Sequence, residues 1–191
     1  MLAADGRLEE ALAETRHAQA LDPLSLPVET SAIYIFYLAR EYDQAVEECQ
    51  TALDLDPNFA RAHANCGLAY EAKGMYREAV TEFEKALTVS GTQATYAGLL
   101  GHALAVSGEK GKALKVLDGL REGSKQTYVP AYDMAVIYVG LGEKDQAFRW
   151  LQNAYEERSS WLPLVAVNPV FDGLRSDPRF QDLLRRMNFP L

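Results

Sequence analysis

Apolar residues along this 191-residue chain recur at helical spacing, and the helical stripes themselves recur every 34 residues. The stretch from Ala60 to Gly91 shows the internal anatomy of one period. Ala62, Cys66, Ala69 and Tyr70 stand at i, i+4, i+7 and i+8, the spacing of one buried helix face, and the stripe stops at Lys73-Gly74. Tyr76, Ala79, Val80, Phe83, Ala86 and Leu87 form a second stripe, with Arg77, Glu78, Glu82 and Lys85 on its charged back. The pattern predicts two antiparallel helices joined by a turn.

Stepping by 34 from Ala11 meets Ala45, Ala79, Ala113 and Ala147. A second comb runs Ala18, Ala52, Ala86, Leu120, Ala154, and a third runs Gly6, Arg40, Gly74, Gly108, Gly142. Leu21-Asp22-Pro23 and Leu55-Asp56-Pro57 close second helices one period apart. The small residues imply close helix packing, with Gly67 opposite Ala79 and Ala86 while Tyr70 and Phe83 fill the remaining volume. Pro27 and Pro130 are expected in first helical turns, where a missing amide costs little. One hairpin cannot bury both its faces. The expected architecture is therefore all-α, a right-handed α-solenoid of stacked antiparallel hairpins.

With Gly67, Tyr70, Gly74, Tyr76, Ala79, Phe83 and Ala86 in place, residues 60 to 91 resemble the tetratricopeptide repeat. The resemblance covers residues 1–159, as a partial repeat 1–25 and repeats 26–59, 60–93, 94–127 and 128–159. It departs from the family at Ile33, at Leu120, and in lacking the closing proline after Pro57. After Ser159 the period stops, because a further repeat would place Pro169 inside its first helix at a cost of about 3 kcal/mol. Residues 160–191 instead read as capping helices: one near Leu162 to Val167, one starting at Pro169, and one with Asp177 as N-cap and Pro178 first. Phe180, Leu183, Leu184 and Met187 form the apolar face of the last. The stretch Ala135 to Met187 also resembles the C-terminal end of large bacterial regulators, whose N-terminal part is often a winged helix, a kinase or a cyclase.

Composition narrows the class. Hydrophobic residues are 48% and charged residues 24%, the range of ordinary globular domains. A net charge of -8 opposes nucleic-acid and anionic-membrane binding, and residues 1 to 60 hold 12 acids against 3 bases. The longest apolar runs, such as Ala32 to Tyr37, are too short to span a bilayer, and the first residues do not read as a signal peptide. Two cysteines are too few for a secreted disulfide scaffold. Cys49 and Cys66 read as core residues of adjacent repeats, with a redox pair as the other reading, in a cytoplasmic protein.

No enzyme signature emerges. Gly108-Glu109-Lys110-Gly111-Lys112 has Val106 and Ala113 where a phosphate loop needs Gly and Ser or Thr, and it joins two helices. His17, His63 and His102 lie in three repeats without a paired ligand, so no metal or cofactor is expected, and they read as surface or groove residues. The neighbouring acids Glu9-Glu10, Glu47-Glu48 and Glu156-Glu157 read as solvated charge.

The resemblance implies that the inner face of the first helices binds a protein or peptide. By register that face comprises Thr30, Tyr34 and Tyr37, then Arg61, Ala64, Leu68 and Glu71, then His102 and Val106, then Tyr132, Val136 and Val139. Its apolar character suits a partner with apolar anchors; the other reading is that Tyr34 and Tyr132 pack on neighbouring helices or on the chain's own tail. Some relatives hold a peptide carboxylate with Lys and Asn, but Thr30 and Tyr34 occupy the first two of those places and only Asn65 fits. The function expected is an interaction module, the regulatory part of a larger bacterial signalling protein. The alternative is a structural element that dimerises through an uncapped N-terminal end, since counting back 34 leaves only Leu2 to Asp5 to pair with the helix Leu8 to Leu21.

Overall fold

The computed structural model describes residues 2–91 and 93–189, and the regular structure of these residues is ten α-helices and two short 3-10 segments. They form two compact units, Met1–Gln93 and Ala94–Leu191, parted where repeat 60–93 meets repeat 94–127. The first holds α1 (Leu8–Leu21), α2 (Leu26–Leu38), α3 (Tyr42–Leu55), α4 (Ala60–Ala72) and α5 (Tyr76–Ser90). The second holds α6 (Ala94–Val106), α7 (Lys110–Gly123), α8 (Ala131–Leu141), α9 (Lys144–Glu156), 3-10 segments at Leu162–Leu164 and Pro169–Leu174, and α10 (Pro178–Arg186).

The comb of turn residues has a backbone cause. Gly6, Gly74, Gly108 and Gly142 have φ of 76°, 76°, 93° and 78°, and Arg40 follows them at 67°. Where these residues end α2, α4, α6 and α8, the next amide donates back to a carbonyl five residues earlier. Glu41 N–H reaches Phe36 O at 2.9 Å, Met75 reaches Tyr70 at 2.9 Å, Glu109 reaches Leu104 at 2.8 Å and Glu143 reaches Tyr138 at 3.0 Å. This closure needs a left-handed residue, which costs a side-chain-bearing residue roughly 1 kcal/mol that glycine avoids. Arg40→Gly is therefore expected to stabilise the first unit by about 1 kcal/mol in urea denaturation. An unchanged midpoint would mean that the arginine side chain offsets the strain.

In the first unit, α2 pairs with α3 and α4 with α5, while α1 lies against α2 and α3 against α4. Ala45, Ala52, Ala79 and Ala86 are fully buried, so each comb position is a point of helix contact. What meets Gly67 is the Phe83 ring, not the alanines: a Cβ on Gly67 would stand 2.5 Å from Phe83 Cε1. Two buried polar side chains of this hairpin, His63 and Glu82, pair with each other. His63 Nδ1 lies 2.6 Å from Glu82 Oε2, its Nε2 lies 2.9 Å from the Pro57 carbonyl, and Lys85 bonds the other Glu82 oxygen at 2.8 Å. The turn between α3 and α4 is thereby tied to the α4–α5 pair. His63 and His102 are 4% and 6% exposed, so the surface reading of these two histidines is corrected, while His17 is exposed.

The two cysteines also differ from the reading as separate core residues. Cys49 on α3 and Cys66 on α4 are 17 residues apart, half a repeat, which places them on facing sides of adjacent helices; they form a disulfide with Cα atoms 5.5 Å apart. Both are buried. In the chain-entropy account, closing a loop of this length stabilises by roughly 3 kcal/mol. The Cys49→Ala/Cys66→Ala pair is expected to lose about that much of the first unit's stability, read by circular dichroism in urea. A variant as stable as the oxidised parent would show that the cross-link carries no stability.

At the start of the chain, Ala11 and Leu12 of α1 are 6% and 2% exposed, and Leu8 and Ala18 are half-buried. Ala3 and Ala4, in the turn preceding α1, are buried as well. The expectation of a largely uncovered apolar face on this helix is corrected for Ala11 and Leu12.

In the second unit, α6 and α8 approach closely at three glycines. A Cβ on Gly98 would stand 2.9 Å from Asp133 Cβ, one on Gly101 2.8 Å from Ile137, and one on Gly140 3.0 Å from the His102 carbonyl oxygen. Pro130 stands one residue before α8 as its N-cap, not within the first turn, while Pro27 is inside the first turn of α2. In the tail the N-cap expected at Asp177 forms, whereas the stretch near Leu162 to Val167 holds only the 3-10 turn Leu162–Leu164. Asn168 accepts from the Val170 amide at 3.1 Å and Asp177 from the Arg179 amide at 3.0 Å, and Phe171 and Phe180 are fully buried with Ile137, Leu151 and Val165.

Candidate peptide-binding face

In the first unit the face is built by α2 and α4, which pack side by side. Asn65 on α4 donates its side-chain amide to the Thr30 carbonyl at 2.7 Å, so the residue that fitted a carboxylate grip is turned onto α2. Thr30, Tyr37 and Ala64 are 0%, 2% and 2% exposed and act as the floor, with Leu68 at 5%. Tyr34 stacks on Tyr37 with ring centroids 6.0 Å apart, and Tyr42 continues the aromatic row at 6.2 Å from Tyr37. Tyr34 is half-buried, and desolvation pushes its phenol well above the usual range. Arg61 is exposed, whereas Glu71 is half-buried with its Oε2 atom enclosed.

The second unit treats its share of the same register differently. Tyr132 is 5% and Val136 2% exposed. The Tyr132 hydroxyl accepts from the Asn168 side-chain amide at 3.1 Å, and its ring meets Phe171 edge-on at 5.5 Å. The 3-10 segment Pro169–Leu174 packs on α8, so the chain's own tail covers these two side chains. Val139 is half-buried against the same core, His102 is buried beside Gly140, and Val106 is exposed at the end of α6.

Two buried acids, Asp133 and Glu29, and the half-buried Glu48 escaped the sequence reading. Asp133, 2% exposed in the first turn of α8, accepts from the Thr95 hydroxyl at 3.2 Å. Burial raises its carboxyl to about 7, against the opposing effect of the Thr95 bond. Its signal in the sequence is a lone acid inside the apolar run Ala131–Leu141. Glu29, 3% exposed, accepts from the Gln19 side-chain amide at 2.7 Å, and the same amide donates to Glu48 at 3.1 Å. Glu48 is not solvated charge as expected: burial, then the adjoining Glu29, raises its carboxyl. A partner on another helix is invisible to helix-face reasoning on one stripe.

Among the described residues no helix is long and apolar enough to cross a membrane, and no cluster of His, Cys, Asp and Glu could hold a metal ion. The TPR repeat profile matches residues 34–74 and the tetratricopeptide repeat profile matches residues 60–93. The small glutamine-rich tetratricopeptide repeat-containing protein 2 of Saccharomyces cerevisiae is 34% identical over 92 residues, 45% of this chain. The chain spans 25% of that relative's length. Among solved structures, TTC0263, a thermophilic TPR protein of Thermus thermophilus, superposes with a TM-score of 0.67 at 20% identity, over 94% of this chain and 92% of that one. The Cut9–Hcn1 hetero-tetramer of the APC/C gives 0.64 at 16% identity, over 97% of this chain and 37% of that one. The fold is the all-helical TPR solenoid, a scaffold for protein interaction. Residues 34–93 of the chain match tetratricopeptide repeats.

Proposed function

We propose that the face formed by α2 and α4 captures a peptide or partner helix with an apolar anchor. The observation that carries this reading is the half-buried Tyr34, stacked on a buried Tyr37, with an exposed Arg61 on the adjoining helix α4. A rigid aromatic supplies an anchor at low entropic cost, and the exposed Arg61 offers a charge that orients the ligand. The α8 positions contribute no anchor to this reading, because the tail covers Tyr132 and Val136. From the sequence resemblance of residues 135–187 to the ends of bacterial regulators, we further propose that the chain is the regulatory part of a larger signalling protein.

Selection from a random peptide library followed by calorimetry tests the site. Tyr34→Ala and Arg61→Glu are expected to weaken the selected peptide at least tenfold, about 1.4 kcal/mol, with helicity unchanged. Equal affinity in both folded variants would move the binding site off this face.

A further inference from the structure

The turn between α1 and α2 departs from its counterpart one repeat later. It reads Leu21-Asp22-Pro23-Leu24, against Leu55-Asp56-Pro57-Asn58. Leu55 is half-buried and Asn58 is polar, so the later turn shows no apolar tip. In the earlier one Leu21 is 73% and Leu24 76% exposed, on either side of an exposed Asp22. Scattered apolar residues on a surface need no explanation, but two leucines flanking one acid at a protruding turn form a compact amphipathic knob.

The second unit carries a cleft of about 470 Å³ between α9 and α10. Phe148, Pro178 and Leu183 give its base an apolar lining, with the Arg179 guanidinium 4.1 Å from the Phe148 ring centroid, and Arg179, Asp182, Arg185 and Arg186 stand on its rim. Arg179 is already held by Asp145 at 2.7 Å and Asp177 at 2.8 Å. Among the described residues Arg185 reaches only Asp182, at 3.7 Å, and Arg186 lies over the Tyr155 ring and bonds the neutral Gln152 at 2.7 Å. Two guanidinium groups thus keep capacity for a carboxylate. Charge over the two units follows the same division. Residues 1–93 hold 16 acids and 7 bases, and residues 94–191 hold 11 acids and 12 bases.

We infer that the α1–α2 turn of one copy of this chain docks into the α9–α10 cleft of another. Leu21 and Leu24 enter the apolar lining, and Asp22 meets Arg185 and Arg186. Knob and cleft are different patches, so the contact is heterologous, and a pair joined by one contact still offers one free knob on one copy and one free cleft on the other. The contact of Asp22 with Arg185 and Arg186 is electrostatic, which makes the association salt-sensitive. A turn in a cleft buries little area, so the association is weak.

Sedimentation velocity on the full chain tests this up to about 1 mM, a range in which millimolar affinities are visible. The average mass is expected to rise with concentration beyond two chains and to fall at high salt. Leu21→Asp/Leu24→Asp and Arg185→Glu/Arg186→Glu alter exposed side chains and should each lower the association constant at least tenfold, with circular dichroism unchanged. Mixed at equal concentration, the two variants retain one knob and one cleft between them, and a species of two chains and no larger is expected. A wild type that stays monomeric throughout, either variant associating like wild type, or a mixture that remains monomeric would overturn the inference. A folded knob variant that still binds its selected peptide separates this contact from the α2–α4 face.

Discussion

Phe171→Ala is expected to cost the second unit about 3 to 5 kcal/mol, the range for truncating a fully buried aromatic ring. Phe171 is 0% exposed, and its ring lies edge-on to Tyr132 at 5.5 Å, a geometry that adds to simple burial. Truncation opens a cavity beneath the tail and strips the cover from Tyr132 and Val136. Both tryptophans, Trp150 and Trp161, lie in the second unit, so their fluorescence in urea reports its unfolding without interference from the first. The result bears on function as well as stability. A loss below about 1 kcal/mol, a value ordinary for surface changes, would mark the 3-10 segment as a displaceable cover and return Tyr132 and Val136 to the binding face. A loss in the expected range makes them core residues of this unit.

Raising the pH from about 4 to about 7 is expected to destabilise the same unit through Asp133. An unfolded aspartate titrates near 3.9, whereas burial holds this one at about 7, so between those values the folded state keeps a proton that the unfolded state has lost. Stability must then fall as pH rises through the window and level off above it. The shift corresponds to an upper bound of about 4 kcal/mol. Asp133→Asn keeps an acceptor for the Thr95 hydroxyl and removes the titration. The variant should match wild type near pH 4 and exceed it by roughly 2 to 4 kcal/mol at pH 8, measured by tryptophan fluorescence in urea. Parallel stability curves for the two proteins would show that the buried carboxyl is compensated by groups outside its immediate surroundings. Glu48 acts in the same direction in the first unit, since burial and Glu29 raise it too.

These two expectations rest on residues that the repeat pattern treats very differently. Phe171 lies beyond Ser159, where the 34-residue period has stopped, and Asp133 sits inside a helix whose other side chains read as plain apolar packing. For the α2–α4 face, the register brings out Tyr34, Leu68, Arg61 and Glu71, because successive turns of a helix repeat their direction. The register does not tell that Thr30 and Ala64 form a closed floor, since that depends on how near the two helices approach.

The sequence by itself determined the helices, their pairing and their ends. Each follows from short-range physics: apolar spacing at three and four residues, alanine where backbones touch, and a left-handed residue at positions 40, 74, 108 and 142 to close a helix. Asp177-Pro178 likewise announced the start of α10 locally. Only the tertiary structure decided what covers each apolar face. The burial of Tyr132 beneath Phe171 and Asn168 joins residues 36 or more positions apart through an aperiodic tail, and no helical register carries that information. The meeting of Cys49 with Cys66 and of Asp133 with Thr95 has the same origin. Each pairs side chains on two helices, and their distance is set by the packing between helices, which the spacing along one helix does not specify.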